Sequence, residues 1–442
     1  MLRKRTQQSY ATMHNVHRIT LYNTVAAAHQ HRIHRPRLYL HLDMNCFYAQ
    51  VEQQSFNLYG IPVIIGGWRK ANGMLKGIVA TCSYEARKLG IRTAMSAFEA
   101  QQLCPYVVSL QIHYEKYRAI SRQIRSVLEE ISPDVEAYSM DEYFLDVSHW
   151  RMLSPSDIAW KAQRVKDELY RITGLLCSVG VARSKTYAKL ASDMRKPNGL
   201  MLLLTEDEER TKVHPLPASD VWGVGPKRAE AMREAGLVTI ADVLKRGPYP
   251  LQQLFGEYFG KMLFETIAGR DQARIMADLE RIPKEVSYMH TFPGGTVSVD
   301  DILAEIGKAI HQLAYRMRGY GRKARAFQCQ LRFEAATWKG VSFDFRTEGY
   351  TNLDDYIRVP CERRARPLLT RLLEQGHTVR GVGMATLGLT DMRQTDLFFA
   401  QEERLERRYE AVDSINNRHG RELVRPGAVL AGVKGKVHFL ER

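Results

Sequence analysis

Asp43 closes the apolar run Leu38-Tyr39-Leu40-His41-Leu42, and Asp141-Glu142 lead into a second strand-like stretch, Phe144-Leu145-Asp146-Val147. Carboxylates at the ends of two strands that pair in one sheet lie side by side. Three acids in one place repel each other unless cations sit between them. Hard oxygen ligands select Mg²⁺, which leaves its remaining positions to water and substrate phosphates. Two such ions clamp an in-line displacement at phosphorus. The chemistry these residues suggest is therefore two-metal nucleotidyl or phosphoryl transfer, a description that fits nucleases, cyclases and kinases alike. A lone Asp at a strand end is ordinarily a turn or helix cap. Adjacent acids inside a β-like stretch run against strand propensity and need a reason.

Two basic groups lie elsewhere at helical spacing. Tyr84, Arg87 and Lys88 form one, and Lys189, Arg195 and Lys196 the other. Arginine forks and lysine point charges suit a triphosphate, although solvated helix faces carry the same residues. Trp222-Gly223-Val224-Gly225 opens a helix. Its glycines allow backbone N–H groups to approach a phosphate, with Lys227 and Arg228 adding charge. A tight turn has the same composition.

The elements that must position these groups follow from periodicity. Pro62–Gly67, Gly77–Cys82 and Leu176–Val181 read as strands, and Tyr84–Leu89, Tyr117–Ile131, Ile158–Ile172 and Lys185–Met194 as helices. Lys196-Pro197-Asn198-Gly199 is a stop. From Ala218 to Ala268 the chain reads as short helices broken by glycines. Beyond a charged joint near Leu279–Val286 come a helix (Thr296–Tyr320), strands Ala324–Glu334 and Trp338–Thr347, a helix (Asp354–Gln375), a strand (Val379–Leu389) and a charged helix (Gln401–Asn416). That order describes a small α+β domain.

At 442 residues the chain exceeds one core and divides into domains. Its net charge of +15 favours a polyanionic partner, nucleic acid before membrane. The six cysteines show no paired spacing and read as reduced thiols. No apolar run reaches the roughly 18 residues of a membrane span. Residues 1–35 are rich in His, Arg and Gln and hold no acid. That composition resembles a transit peptide, but a disordered basic tail is the plainer expectation.

Asp43-Met44-Asn45-Cys46-Phe47-Tyr48-Ala49-Gln50-Val51-Glu52 resembles the first metal motif of Y-family DNA polymerases. Tyr84-Glu85-Ala86-Arg87-Lys88-Leu89-Gly90 resembles their finger motif, and Ser139-Met140-Asp141-Glu142 their second metal motif. Ser178–Ala182 and Lys189–Gly199 are similar to the palm segment that follows, and Val221–Gly236 to the helix-hairpin-helix of the thumb. The likeness runs in order from about Arg37 to the C-terminus and is nearest to the bacterial DinB branch. It implies an α+β multidomain right-hand polymerase. Palm would be 37–46 and 112–204, fingers 47–111, thumb 205–277, linker 278–285 and little finger 286–391. Residues 1–36 would be a basic extension and 392–442 a tail.

The same resemblance implies low-fidelity, template-directed DNA synthesis past damaged bases, with dNTPs and primer-template DNA as substrates. Asp43, Asp141 and Glu142, with the Met44 carbonyl, would hold two Mg²⁺ ions. Phe47, Tyr48, Ala80, Tyr84, Arg87 and Lys196 fall at dNTP-binding positions. Tyr48 corresponds to the steric gate against a 2′-OH, and the small Ala80 roofs the nascent base pair. Gly223, Gly225, Lys227, Lys323, Arg325 and Arg332 are candidate DNA contacts. Gln394-Thr395-Asp396-Leu397-Phe398 resembles the bacterial sliding-clamp-binding pentapeptide, with Gln394, Leu397 and Phe398 as its anchors. That points to a bacterial cytoplasmic protein, monomeric and without membrane attachment. Asn45 stands where many relatives have Asp. A catalytically silent, clamp-associated adaptor of a mutasome is the alternative, and the intact acids argue against it.

Overall fold

The computed structural model describes residues 37–271, 275, 283–333, 340–391, 402–419 and 424. The chain divides into two units, Met1–Glu280 and Arg281–Arg442. The N-terminal extension, most of the expected linker and the clamp-like pentapeptide lie outside the described residues.

The first unit begins with β1 (Tyr39–Met44) and α1 (Phe47–Phe56). A small subdomain follows: β2 (Val63–Ile65), β3 (Trp68–Arg69), β4 (Leu75–Lys76), β5 (Thr81–Cys82), α2 (Tyr84–Lys88), α3 (Ala97–Leu103) and β6 (Val108–Leu110). The chain then returns through α4 (Tyr114–Glu129), β7 (Val135–Ala137), β8 (Glu142–Asp146), α5 (Pro155–Thr173), β9 (Cys177–Ala182), α6 (Lys185–Met194) and β10 (Leu200–Leu203). After short helical turns over Glu206–Glu208, Glu209–Val213 and Ala218–Asp220 come the helices α7 (Pro226–Glu234), α8 (Ile240–Arg246), α9 (Tyr249–Phe255) and α10 (Glu257–Ile267).

The central sheet runs β10-β9-β1-β8-β7 and is antiparallel except where β10 pairs β9. Strand alternation sorts β1 into two faces. Leu38, Leu40, Leu42 and Met44 join Leu145, Val179 and the α4–α5 residues in one core. Tyr39 joins Phe144, Tyr187 and Ala188 in another, which extends into the four-helix segment. Gly180 lets α6 lie close on the sheet, since a Cβ there would collide with the backbone of Ala188 and Ser192.

The second unit carries the antiparallel sheet β11 (Ser287–Thr296), β14 (Val379–Thr386), β12 (Arg322–Arg332), β13 (Gly340–Thr351), in that spatial order, with β15 (Thr390–Asp391) on β12. Helices α11 (Val299–Gly319) and α12 (Asp354–Glu374) bury its apolar face through Ile306, Ile310, Phe327, Val382, Ile357 and Leu369. The C-terminal helix α13 (Glu402–His419) docks on this unit by ion pairs, Arg318 Nε to Asp413 Oδ2 at 2.6 Å and Lys323 Nζ to Glu406 Oε1 at 2.6 Å.

The long periodic helices lie within a few residues of where their patterns place them. Of the strand expected over Gly77–Cys82, only the last two residues form one, as β5. Gly77 adopts φ 101° and folds against Gly67, leaving only the two-residue strands β4 and β5. Among the described residues no helix is long and apolar enough to cross a membrane.

Candidate active site

The β1–β8 register sets Asp43 opposite Glu142. Asp141 comes just before β8, and its carbonyl accepts the Met44 N–H at 2.9 Å, which ties the two acid-bearing chain ends together. Asp43 and Glu142 share the face covered by α6, because His41 and Asp43 have the same parity, as do Glu142 and Phe144.

Cationic side chains meet these acids. Lys196 Nζ lies 2.7 Å from Asp43 Oδ2 and 2.6 Å from Asp193 Oδ1. Burial would lower the Lys196 ammonium, but Asp43 and Asp193 outweigh it and hold it above its usual value. Lys189 pairs with Glu142, whose Oε1 also lies 3.0 Å from His41 Nε2. Burial, then the nearby Lys189 charge, pushes His41 down to about 3, so its ring is neutral. The other ring nitrogen, Nδ1, reaches Ser192 Oγ at 2.8 Å. Asp141 Oδ1 accepts from Ser139 Oγ at 2.5 Å. Among the described residues no three His, Cys, Asp or Glu side chains are gathered closely enough to hold a metal ion.

The donor set nevertheless suits a hard divalent cation. All three acids offer oxygen, two sit in register, and the ammonium groups of Lys189 and Lys196 occupy positions where the acids demand positive charge. Asn45 is buried. Its Oδ1 accepts from Ser178 Oγ at 2.9 Å, so it braces β1 against β9.

Several of the remaining candidate residues gather where α1 meets the β2–β6 subdomain. Tyr48 and Tyr84 both pack on the cluster of Cys46, Ala49, Val63 and Ile65. The Arg87 guanidinium lies 4.9 Å from the centre of the Tyr84 ring, and its Nε donates to the Cys82 carbonyl at 3.3 Å. Arg87 is exposed and Ala80 half-buried. Phe47 is placed differently: it is 2 % exposed and belongs to the sheet core, against Tyr48 and Tyr117.

In the helical segment Gly223 has φ 86° and Gly225 caps α7, with open space at both Cα atoms and Lys227 exposed beside them. In the second unit Arg325 is exposed. Lys323 is not: its ammonium is buried against Glu406, so this side chain is held within the fold. Gln394, Leu397 and Phe398 lie outside the described residues.

His41 carries no motif of its own, although its two-residue offset from Asp43 puts it on the same strand face. Tyr117 and Glu52, partners 65 positions apart, leave no local pattern either.

Residues 42–193 match the impB/mucB/samB family, and residues 283–397 match that family's C-terminal domain. The DNA polymerase IV of Streptomyces coelicolor is 34% identical over 369 residues, covering 81% of this chain and 72% of that protein. The DNA polymerase IV of Exiguobacterium sibiricum is 34% identical over 352 residues, covering 79% of this chain and 93% of that protein. Among solved structures, a Y-family polymerase chimera of Dbh and Dpo4 shares the fold with a TM-score of 0.69 at 24% identity, over 79% of this chain and 98% of its own. An insertion ternary complex of Dbh DNA polymerase gives 0.52 at 24% identity, over 80% of this chain and 99% of its own. With both family models matched and these relatives 34% identical, the chain belongs to the Y family of DNA polymerases, in its DNA polymerase IV group.

Proposed function

We propose that this chain adds dNTPs to a primer 3′ end under template direction, with low fidelity and with tolerance of damaged template bases. The observation that carries the reading is the Asp43–Glu142 register, with Asp141 adjacent, in a chain of this family. Asp43, Asp141, Glu142 and the Met44 carbonyl would hold two Mg²⁺ ions. Such ions would supply positive charge that lowers the pKa of the primer hydroxyl and neutralises charge developing at the α-phosphate.

The chain's own groups do the rest. Lys196 exchanges Asp43 and Asp193 for the triphosphate, and Arg87 with Tyr84 orients it from the fingers side. The Tyr48 ring lies against the sugar and rejects a 2′-OH. Ala80 leaves room above the base pair. Gly223, Gly225 and Lys227 approach the DNA backbone, and Arg325 and Arg332 are further backbone contacts. Such contacts set affinity and its salt dependence, and they carry little sequence information. The central sheet with α4–α6 would be the palm, β2–β6 with α2–α3 the fingers, α7–α10 the thumb and β11–β15 the little finger. Gln394, Leu397 and Phe398 would dock on a bacterial sliding clamp, placing the protein, as a monomer, in the cytoplasm.

Single-nucleotide extension tests the assignment of the gate. Tyr48→Ala is expected to admit ribonucleotides; unchanged sugar selectivity would refute it.

A further inference from the structure

Behind Tyr48 stands a wall that no step of the reaction above uses. The Tyr48 ring lies on the Tyr117 ring with centroids 4.2 Å apart and planes 12° from parallel, and Tyr114 closes one side edge-on at 6.3 Å and 89°. Tyr117 is fully buried, and its hydroxyl donates to Glu52 Oε1 at 2.9 Å. Glu52 is itself fully buried and takes two more partners, Lys116 Nζ at 2.8 Å and His113 Nδ1 at 3.1 Å. Burial alone would raise the Glu52 carboxyl, but these three partners outweigh it and hold it below its ordinary value. Glu52 follows Tyr48 by one helical turn of α1, and Tyr114 and Tyr117 are one turn apart on α4. Two aromatic rings and a carboxylate therefore join α1 to α4 directly beneath the gate.

A buried carboxylate is costly unless hydrogen-bonded, and apolar side chains would fill the same volume without that cost. What the polar arrangement adds is an anchor: it holds the far end of the Tyr117 ring in place beneath Tyr48. A clash discriminates only as strongly as the clashing group resists displacement. A gate ring free to swing by about 1 Å would yield to a 2′-OH.

We propose that Tyr117, anchored by Glu52, is a positioning residue that stiffens Tyr48 and so sets sugar selectivity. This rests on Tyr48 being the gate. The test is the ratio of kcat/KM for a matched dNTP to that for the corresponding rNTP on primer-template DNA. Wild type, Tyr48→Ala, Tyr117→Leu and Tyr117→Phe are compared, with thermal melting of each. Tyr48→Ala should relax the ratio most. Tyr117→Leu should lower it about two- to tenfold, the worth of one aromatic pair, through a gain in rNTP use. Tyr117→Phe, which keeps the stack and loses the anchor, should lower it less. Equal losses for both sugars in Tyr117→Leu would overturn the proposal and leave Tyr117 a purely structural residue. Should Tyr117→Leu fail to fold, Tyr117→Phe decides: a lowered ratio supports the proposal and a wild-type ratio overturns it. An unchanged ratio in Tyr48→Ala would refute the gate and the proposal together, whereas a relaxed Tyr48→Ala with unchanged Tyr117 variants would refute the proposal alone.

Discussion

Lys196 connects the two halves of the proposed chemistry, since its ammonium touches Asp43 in this structure and is the group proposed to grip the triphosphate. Removing one preorganised charge of this kind costs about a hundredfold or more in rate. Lys196→Ala should therefore lower kcat/KM for every dNTP by about that factor, and pre-steady-state incorporation kinetics would measure it. Equal kinetics in the variant would place the grip elsewhere. Chelation of divalent ions should stop extension and added Mg²⁺ restore it. At this scale the three acids were legible because each lies at the end of a strand-like run. The residues that hold them were legible only in part. His41 reads as an interior strand residue, and its contacts with Glu142 and Ser192 arise from strand pairing and helix docking. Lys323 shows the opposite failure: its charge suggests a surface contact, but the fold turns it onto Glu406.

Helices α4, α5 and α6 carry apolar residues at 3.6-residue spacing and stop at recognisable signals, so their existence was readable. The β2–β6 region was less so, because its strands are two or three residues long and its turns depend on glycines at positive φ. One element contact has a large stake in stability. Lys185, at the start of α6, pairs with Glu136 on β7 at 2.8 Å, both buried, and its ammonium lies 4.7 Å from the Phe144 ring centre and 5.7 Å from that of Trp222. Removing one member of a buried pair leaves the other uncompensated, at a cost of about 3 kcal/mol or more. Lys185→Met should lower unfolding free energy by about that amount in a urea titration. A loss below about 1 kcal/mol would show that the pair behaves as a surface bridge. Gly180→Ala should also destabilise, by about 1–3 kcal/mol, because α6 has no room to retreat from the sheet without moving Lys189 and Ser192.

Across the whole molecule, a net charge of +15 and the open glycine turn at Gly223–Gly225 suit a polymer of phosphates recognised by its backbone. DNA affinity should fall steeply with salt and vary little with sequence. Lys227→Ala should reduce the slope of log affinity against log salt by about one, as fluorescence anisotropy across a salt series would record. Deleting Gln394–Phe398 should remove stimulation by a bacterial sliding clamp and spare basal extension. The docking of α13 was not readable from the order of elements, because its Arg318–Asp413 ion pair joins residues 95 positions apart. The proposed activity depends most on the three acids acting together as metal ligands of a polymerase. Primer extension with Mg²⁺ on undamaged and damaged templates tests this directly. Wild-type protein should extend both with each dNTP its template calls for, and Asp141→Ala, folded by thermal melting, should lose about a thousandfold or more. An inactive wild type, or an Asp141→Ala variant that extends as well as wild type, would contradict the account.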